Sequence, residues 1–237
     1  MDNRIKQIRE SEKKSHIEMY SNDELYKTNS WLSKPIKTIQ EIIPLFQNYK
    51  ELNVLDLGCG VGRNSVFIAQ KYQNIDCMIE CVDILELAIQ KLYCNAKEYG
   101  VSENIHGITK PIEDYAIQEN RYDFIIAVSA LEHIDTKEHF IDKLLEIKNG
   151  IRDNGIVCLV INSNVRESDK VTGDTLPAQF EVNLSTEELQ NILKKTFANW
   201  KILKAAVQEQ QYDIPRENGI CDLKSNVVSF VVRKISC

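Results

Sequence analysis

The sequence predicts one α/β domain with a mostly parallel sheet and helices on both faces of that sheet. An apolar run at residues 54–57 is followed by a glycine-rich turn and a helical pattern. Further apolar runs then alternate with helical patterns, which is typical of parallel strands joined by helices. Two strand patterns, 200–208 and 226–232, follow each other without a helix between them. This last pair predicts an antiparallel hairpin at the edge of the sheet.

The bulk properties narrow the class of protein. A chain of 237 residues suffices for one such domain with a large core. The net charge of −6 disfavours nucleic-acid binding, because neutralising phosphates needs clustered Lys and Arg. The N-terminus is charged, and no apolar stretch approaches the ~18 to 20 residues of a membrane helix. Seven cysteines without a C-x-x-C pair predict free thiols, no metal site and a reducing cytoplasm.

The turn after the first strand carries glycines at alternate positions, Gly58, Gly60 and Gly62. Residues without a Cβ bring bare backbone close to a small ligand at the carboxyl edge of a parallel sheet. A dinucleotide fold usually has the spacing G-x-G-x-x-G, whereas this turn has G-x-G-x-G. The turn also follows an acidic residue inside the strand, Asp56.

The string D-L-G-C-G-x-G at residues 56–62 resembles motif I of the class I S-adenosylmethionine-dependent methyltransferases. The continuation, Arg63-Asn64-Ser65, resembles their small-molecule branch, which includes the tellurite-resistance and thiopurine types. The resemblance implies S-adenosyl-L-methionine as the cofactor. It also implies a Rossmann-like, seven-stranded sheet that is mostly parallel with an antiparallel C-terminal strand. A strand, turn and helix with an empty pocket is the alternative.

The resemblance also implies which residues of this turn contact the cofactor. Backbone at Gly58, Cys59, Gly60 and Gly62 would approach the methionine portion, with Asn64 beside it. Asp56 would either orient the loop or meet the ammonium group.

The N-terminal residues 1–34 are expected to form a helical cap, with the methyltransferase domain at 35–237. N-terminal segments of the family often fold over the cofactor as part of a lid. Tyr20, Tyr26 and Trp31 are therefore the candidates for lid contacts, and a frayed amphipathic arm is the alternative. From Pro35 onward the pattern is helical and ends near Pro44.

The second predicted strand, 77–82, ends at Asp83, 21 residues past Gly62. A parallel α/β unit presents a carboxylate to a ribose at this place, and the carboxylate can accept two hydrogen bonds from a vicinal diol. Ile84, the next residue, is also a candidate for cofactor binding. The alternative role of Asp83 is to cap the helix that follows.

The loop after a third predicted strand, 104–109, is expected to reach the adenine, as the resemblance implies. Its candidates are Ile112, Glu113 and Asp114. The family often has Asp slightly earlier, where this sequence has Lys110 or Pro111, so any of the three is a candidate for the contact. An exposed acidic turn is the other interpretation.

The fourth predicted strand, 122–129, is continuously apolar, which suggests burial on both faces. Its end, S-A-L-E-H-I, resembles motif IV, so Val128 and Ser129 are expected beside the transferable methyl group. His133 is a candidate general base or substrate-orienting residue. A hydrogen-bonded loop histidine is the alternative, and Glu132 has the same two interpretations.

The remaining elements follow in order. A helix is expected to begin near Thr136, a fifth strand at 156–161, and a helix with a capping box at Ser185. The polar stretch 165–179 is expected to be irregular, to lie over the pocket and to specify the substrate. A hairpin loop is expected through Tyr212, Pro215 and Gly219.

Together these patterns predict a methyltransferase that moves a methyl group in line from S-adenosylmethionine to an acceptor, by default a small molecule. Three alternatives stay open: a protein methyltransferase, a non-catalytic S-adenosylmethionine-binding module, and an NAD-linked oxidoreductase. The oxidoreductase would share Asp83 and the sheet, but it should have wider glycine spacing and a helical last crossover.

Overall fold

A computed structural model of the protein describes residues 3–28, 30–216 and 219–235. Eight strands are present in this part of the chain. Their bounds are β1 Glu51–Leu57, β2 Asp76–Asp83, β3 Ile105–Thr109, β4 Tyr122–Val128, β5 Ile151–Asp169, β6 Thr175–Leu176, β7 Lys201–Arg216 and β8 Gly219–Arg233.

Six α-helices and three short 3-10 turns accompany these strands in the described ranges. The helices are α1 Asn3–Asn22, α2 Lys37–Ile42, α3 Ser65–Lys71, α4 Glu86–Glu98, α5 Lys137–Gly150 and α6 Thr186–Thr196. The 3-10 turns are Ile43–Phe46, Ser102–Asn104 and Leu131–His133. None of the described helices is long and apolar enough to span a bilayer.

The main sheet has the strand order β3-β2-β1-β4-β5-β8-β7, with β6 paired to β5. Strands β1 to β5 run parallel to one another, and β8 is antiparallel to both β5 and β7. The predicted fold class, with its reversed C-terminal hairpin, is therefore confirmed. The chain order reverses at β1, between β2 and β4, and such a switch point opens a crevice at the carboxyl ends of the strands.

Alternate residues of the central strands pack against helices on opposite faces of the sheet. Val54 belongs to the cluster that includes α2, α3 and α4, whereas Leu55 and Leu57 belong to the cluster that includes α5 and α6. Both faces are thus covered, which explains why β4 is apolar from Phe124 to Val128. This packing fixes the strand ends that carry the functional loops.

The predicted helix starts at Thr136 and Ser185 are confirmed. Thr136 Oγ1 accepts a hydrogen bond of 3.1 Å from the backbone N–H of His139, and Ser185 Oγ accepts one of 3.2 Å from Glu188. Each satisfies a backbone donor in the first turn of a helix that would otherwise lack a partner.

The C-terminal strands are longer than the sequence predicts, and the expected irregular stretch is wrong in part. Strand β5 continues to Asp169 and pairs with β8 past a bulge between Ser163 and Arg166. Tyr212 lies inside β7 and not in a loop. Glu167 faces the interior of this extension, where Arg216 of β7 binds its carboxylate at 2.8 Å and 3.1 Å. Because a charged residue occupies this inward-facing position, the sequence lacks the apolar pattern from which the strand could have been predicted.

Gly62 and Gly100 both have a left-handed backbone conformation, but their surroundings differ. Gly62 and Gly100 have φ of 91° and 71°. At Gly62 an added Cβ would lie 2.4 Å from Leu92 Cδ1, while no described heavy atom lies within 4 Å at Gly100.

Replacing Gly62 by alanine is expected to destabilise the fold more than replacing Gly100. Both changes strain the backbone by about 1 kcal/mol, and overpacking at Gly62 adds about 1 to 3 kcal/mol. Urea unfolding of Gly62→Ala and Gly100→Ala measures both losses. Equal losses would show that the packing of Leu92 against this turn contributes nothing.

Candidate functional site

A cavity of about 870 Å³ opens at the carboxyl ends of the parallel strands. Its wall is formed by the loops after β1, β2, β3 and β4, by one face of α1, and by Glu181 from the segment between β6 and α6. Most of the residues predicted for the site meet here. They are Gly58, Cys59, Gly60, Asn64, Asp83, Ile84, Ile112, Glu113, Val128, Ser129 and His133.

The glycine loop is held in place by the end of β2. The backbone N–H groups of Gly58 and Cys59 donate to the carbonyl oxygen of Val82 at 2.8 Å and 3.0 Å. The N–H of Gly60 donates to Asp83 Oδ2 at 2.8 Å, and the N–H of Leu85 donates to Asp83 Oδ1 at 2.9 Å. The carboxylate of Asp83 therefore fixes the loop on one side and the approach to α4 on the other.

Asp83 can still bind a ligand from this position. It lines the cavity, and each carboxylate oxygen can accept a further hydrogen bond. Burial raises the pKa of Asp83, although the hydrogen bonds from Leu85 and Gly60 oppose this. The capping alternative is wrong, because α4 begins at Glu86 and has no side-chain cap.

Two of the glycines allow close approach by other elements. A Cβ at Gly58 would lie 2.3 Å from Ala130 Cβ, and one at Gly60 would lie 2.8 Å from the hydroxyl oxygen of Tyr20. Tyr20 comes from α1, is buried, and stacks on Trp31 with ring centroids 6.4 Å apart. The N-terminal segment therefore reaches the glycine loop. Tyr26 instead donates its hydroxyl to the carbonyl oxygen of Arg63, outside the cavity wall.

The far side of the cavity presents apolar side chains to the solvent. Ile84 is 46% exposed at the cavity wall, and the half-buried Ile112 belongs to the same wall. Two branched apolar side chains suit the faces of a flat ring. Glu113 also lines the cavity, whereas Asp114 is exposed and lies outside the wall.

Three of the predicted contact residues, Asp56, Gly62 and Asp114, lie outside this cavity wall. Gly62 contacts α4, and Asp114 turns to solvent after its N–H has bonded to the carbonyl oxygen of Pro111. Asp56 is buried beneath the loop and accepts a hydrogen bond from Ser65 Oγ. Its carboxylate supports the first residue of α3 and does not belong to the cavity wall.

The remaining predicted wall residues have structural partners as well. Asn64 Oδ1 accepts a hydrogen bond of 3.2 Å from the backbone of Ile36. Ser129 has a φ of 49° and donates its N–H to Val160 at 2.7 Å. Such a strained position directly after a strand is frequent in functional sites, because it turns the chain sharply at the ligand edge.

His133 lies in the 3-10 turn after β4 and contacts two residues that are distant in sequence. Its Nδ1–H donates to Glu181 Oε2 at 3.0 Å, and its ring stacks on Phe180 with centroids 5.1 Å apart. Burial opposes a charge on the imidazole. The hydrogen bond to Glu181 and the charges of Glu132 and Glu12 outweigh burial and raise the pKa of His133 to about 9.

Glu132 has a structural role and not a ligand-binding one in this geometry. Its Oε1 accepts hydrogen bonds from the backbone and the side chain of Asn162 at 3.0 Å and 2.7 Å. Oε2 has no hydrogen-bond partner among the described residues. The charge of Glu132 contributes to the raised pKa of its neighbour His133.

Sequence reasoning missed several charged wall residues, and among them are Arg9 and Glu181. Arg9 Nη2 pairs with Glu113 Oε1, and Arg9 Nε lies 3.4 Å from Glu181 Oε1. The Glu181 side chain is 2% exposed. Neither residue belongs to a motif. The residues that meet here come from α1, the loop after β3 and the segment after β6, so no local pattern could reveal them.

The glycine loop, the carboxylate at the end of β2 and the reversed hairpin are features that this chain shares with the class I S-adenosylmethionine-dependent methyltransferases. Residues 54–155 match the family model described as a methyltransferase domain. The resemblance found in the sequence is thereby confirmed.

Curated relatives of the chain methylate different compounds. Norajmaline N-methyltransferase of Rauvolfia serpentina is 28% identical, with 41% of this chain and 32% of that protein covered. A ubiquinone biosynthesis O-methyltransferase of Rickettsia canadensis is 29% identical, with 51% of this chain and 47% of that protein covered. The chain thus spans a third to a half of the length of these relatives.

Solved structures share the fold. TehB from Haemophilus influenzae has a TM-score of 0.59 and 23% identity, with 82% of this chain and 62% of that chain covered. A dinucleotide fold with a helical last crossover does not describe the chain, because β7 and β8 form a hairpin. The oxidoreductase alternative therefore loses its structural basis.

The ionisation of Asp56 is expected to destabilise the fold as pH rises. Burial raises its pKa to about 7, while the hydrogen bond from Ser65 opposes this and the charge of Asp83 adds to it. An unfolded Asp ionises near about 3.9, so the contribution of Asp56 to stability is present below that pH and is lost as pH rises through about 7.

The Asp56→Asn variant tests this, because Asn accepts the bond from Ser65 without acquiring a charge. Between pH 5 and 8 its unfolding free energy should fall less than that of the native protein. Urea unfolding at both pH values measures the difference, with Asp76→Asn, an exposed carboxylate at the start of β2, as the control. Parallel curves for Asp56→Asn and the native protein would contradict the assignment.

Proposed function

We propose that this protein transfers a methyl group from S-adenosyl-L-methionine to a small-molecule acceptor. The observation that carries the proposal is the carboxylate of Asp83, which holds the bare backbone of Gly60 at the edge of an open cavity. The relatives described above are an N-methyltransferase and an O-methyltransferase, and they support a small acceptor. A protein side chain as the acceptor is the second candidate.

The residues of the cavity fit this cofactor. Gly58 and Gly60 would take the methionine portion, since both lie in the cavity wall and present bare backbone to it. Asp83 would accept from the ribose hydroxyls, and Ile84 and Ile112 would flank the adenine. Glu113 is the polar neighbour on that side. Val128 and Ser129, at the end of β4, would lie beside the reacting end.

Residues 1–34 serve, in this proposal, as a lid over the domain at 35–237. The support is that α1 contributes Arg9, Glu12, His16 and Tyr20 to the cavity wall. A lid of this kind excludes water and limits the size of the acceptor. The lining between α1 and His133 is charged, which favours a polar acceptor over an apolar one.

We place the protein in the cytoplasm. The support is that cysteines 59, 77, 81, 94, 158 and 221 are free thiols, a state that reducing compartments maintain.

The chemistry asks little of the protein beyond alignment. The cofactor supplies a methyl group on a sulfonium, so the leaving group is already activated. The side chains must align the acceptor in line, exclude water and, for a weakly acidic acceptor, remove a proton. His133, with a pKa of about 9, holds its proton at neutral pH. It therefore acts as a hydrogen-bond donor to the acceptor at that pH and not as a base.

The function is tested by incubating the protein with S-adenosylmethionine and a panel of small amines, phenols, thiols and carboxylic acids. Formation of S-adenosylhomocysteine that depends on one compound of the panel is the expected result. Binding of S-adenosylmethionine without turnover on any small molecule or protein extract would favour a non-catalytic binding module.

Replacing Asp83 by Asn is expected to weaken S-adenosylmethionine binding by about 10- to 100-fold, since a charge-assisted hydrogen bond is lost. Titration calorimetry measures the affinity. Glu86→Gln is the matched control, because Glu86 also lines the cavity and lacks the backbone contacts of Asp83. Undiminished affinity in Asp83→Asn would remove the basis of the proposal.

Replacing His133 by Gln separates the donor role from the base role. A donor with a pKa of about 9 predicts a rate loss of about 10- to 100-fold at pH 7, which shrinks as the native histidine deprotonates above that pKa. A base predicts the reverse, with little loss at pH 7 and a growing loss above pH 9. Initial rates of both proteins between pH 6 and 10 distinguish the two roles.

A further inference from the structure

We propose that Glu181 is a positioning residue, which holds His133 as a hydrogen-bond donor to the acceptor while Arg9 keeps helix α1 docked. This inference rests on the methyltransferase function proposed above. It concerns a residue that lies outside the sequence motifs of the domain and on no regular element.

The first support is the geometry of the histidine. Glu181 Oε2 accepts from His133 Nδ1 at 3.0 Å, and Phe180, the neighbour of Glu181 in sequence, stacks on the same imidazole ring. The segment of Phe180 and Glu181 therefore fixes both the position and the orientation of the imidazole ring. Because Nδ1 is engaged, Nε2 is the ring nitrogen left for a ligand, and no described residue is hydrogen-bonded to it. The ring belongs to the cavity wall.

The second support is the set of charges around the ring. Negative groups approach His133 from several elements, and the positive groups near them come from α1 and from Arg216 of β7, which pairs with Glu12 at 3.2 Å. The negative groups are Glu12 of α1, Glu113 after β3, Glu132 after β4 and Glu181 after β6, while the groups of α1 that carry or can take a positive charge are Arg9, Lys13 and His16. Of the negative groups, Glu181 touches the imidazole directly. Its removal should therefore have the largest effect on the proton of His133.

The third support links this pair to the helix that covers the cavity. Arg9 is the residue of α1 that reaches both Glu181 and Glu113. The side chains of Glu181 and Glu113 are 2% and 10% exposed, so each would be a poorly solvated carboxylate without the guanidinium. A buried charge that loses its partner is costly, which favours the docked position of α1.

Removing the charge of Glu181 and removing the charge of Arg9 should have different effects on the pKa of His133. Loss of the Glu181 charge removes a stabilising anion and lowers the pKa of His133. Loss of the Arg9 charge removes a competing cation from Glu181 and raises the pKa of His133 or leaves it unchanged. A residue that merely supports the fold would not produce this pair of signs.

The test is a titration of the His133 ring by NMR in the ligand-free protein. Glu181→Gln should lower the pKa by more than about 1 unit, and Arg9→Gln should not lower it. Glu188→Gln is the matched control, because Glu188 forms an exposed ion pair with Lys137 away from the cavity. An unchanged His133 titration in Glu181→Gln, or a fall in both variants, would overturn the proposal.

Two further measurements complete the experiment. Hydrogen exchange of the α1 amides should accelerate in Arg9→Gln and in Glu181→Gln but not in Glu188→Gln. Steady-state kinetics at pH 7 should show a fall in kcat for Glu181→Gln with an unchanged affinity for S-adenosylmethionine. Unaltered exchange of α1 in both cavity variants, or an unaltered kcat, would overturn the proposed role.

If Glu181→Gln does not fold, Glu181→Asp gives the same answer by another route. The shorter side chain keeps the charge, so His133 should retain a raised pKa while kcat falls because the ring is displaced. A native kcat in this variant would overturn the positioning role. Failure of the native protein to bind S-adenosylmethionine would instead overturn the proposed function, and the NMR titration would still report on Glu181.

Discussion

The site depends on one buried carboxylate that serves two neighbouring loops. Asp83 accepts from the N–H of Gly60 through one oxygen and from that of Leu85 through the other. These bonds join the turn after β1 to the turn after β2, at the place where the order of strands reverses. The energetic cost of desolvating the carboxylate is offset because both oxygens are hydrogen-bonded. A neutral residue of the same shape would lose the charge-assisted part of this link.

The sequence was sufficient for the features that follow from local patterns. The parallel strands, the glycine loop, Asp83 and the helix starts at Thr136 and Ser185 each depend on neighbouring residues, through hydrophobic periodicity, missing side chains or capping chemistry. Asp56 shows where this reasoning stops. The sequence placed Asp56 inside a strand. It did not show that the carboxylate is buried beneath the loop and accepts a hydrogen bond from Ser65.

The features that escaped prediction are contacts over long sequence separations. The extension of β5 depends on Glu167, whose partner Arg216 lies 49 residues away. Arg9 meets Glu113 over 104 residues. In both cases a charged residue occupies a buried or half-buried position because a distant charge neutralises it. Single-sequence patterns assign such residues to the surface, and this explains why the long strands and the charged half of the cavity were missed.

The attachment of α1 has a consequence for how the chain is made. The surfaces that receive the helix include Phe180, Glu181 and Arg216, and Glu12 pairs with Arg216 across 204 residues. On a ribosome adding about 5 to 20 residues per second, Glu12 is therefore synthesised roughly 10 to 40 s before Arg216. Most of the stability of a helix in a protein comes from tertiary packing, and α1 lacks this packing until those partners exist. Helix α1 is thus translated well before the residues that hold it against the domain.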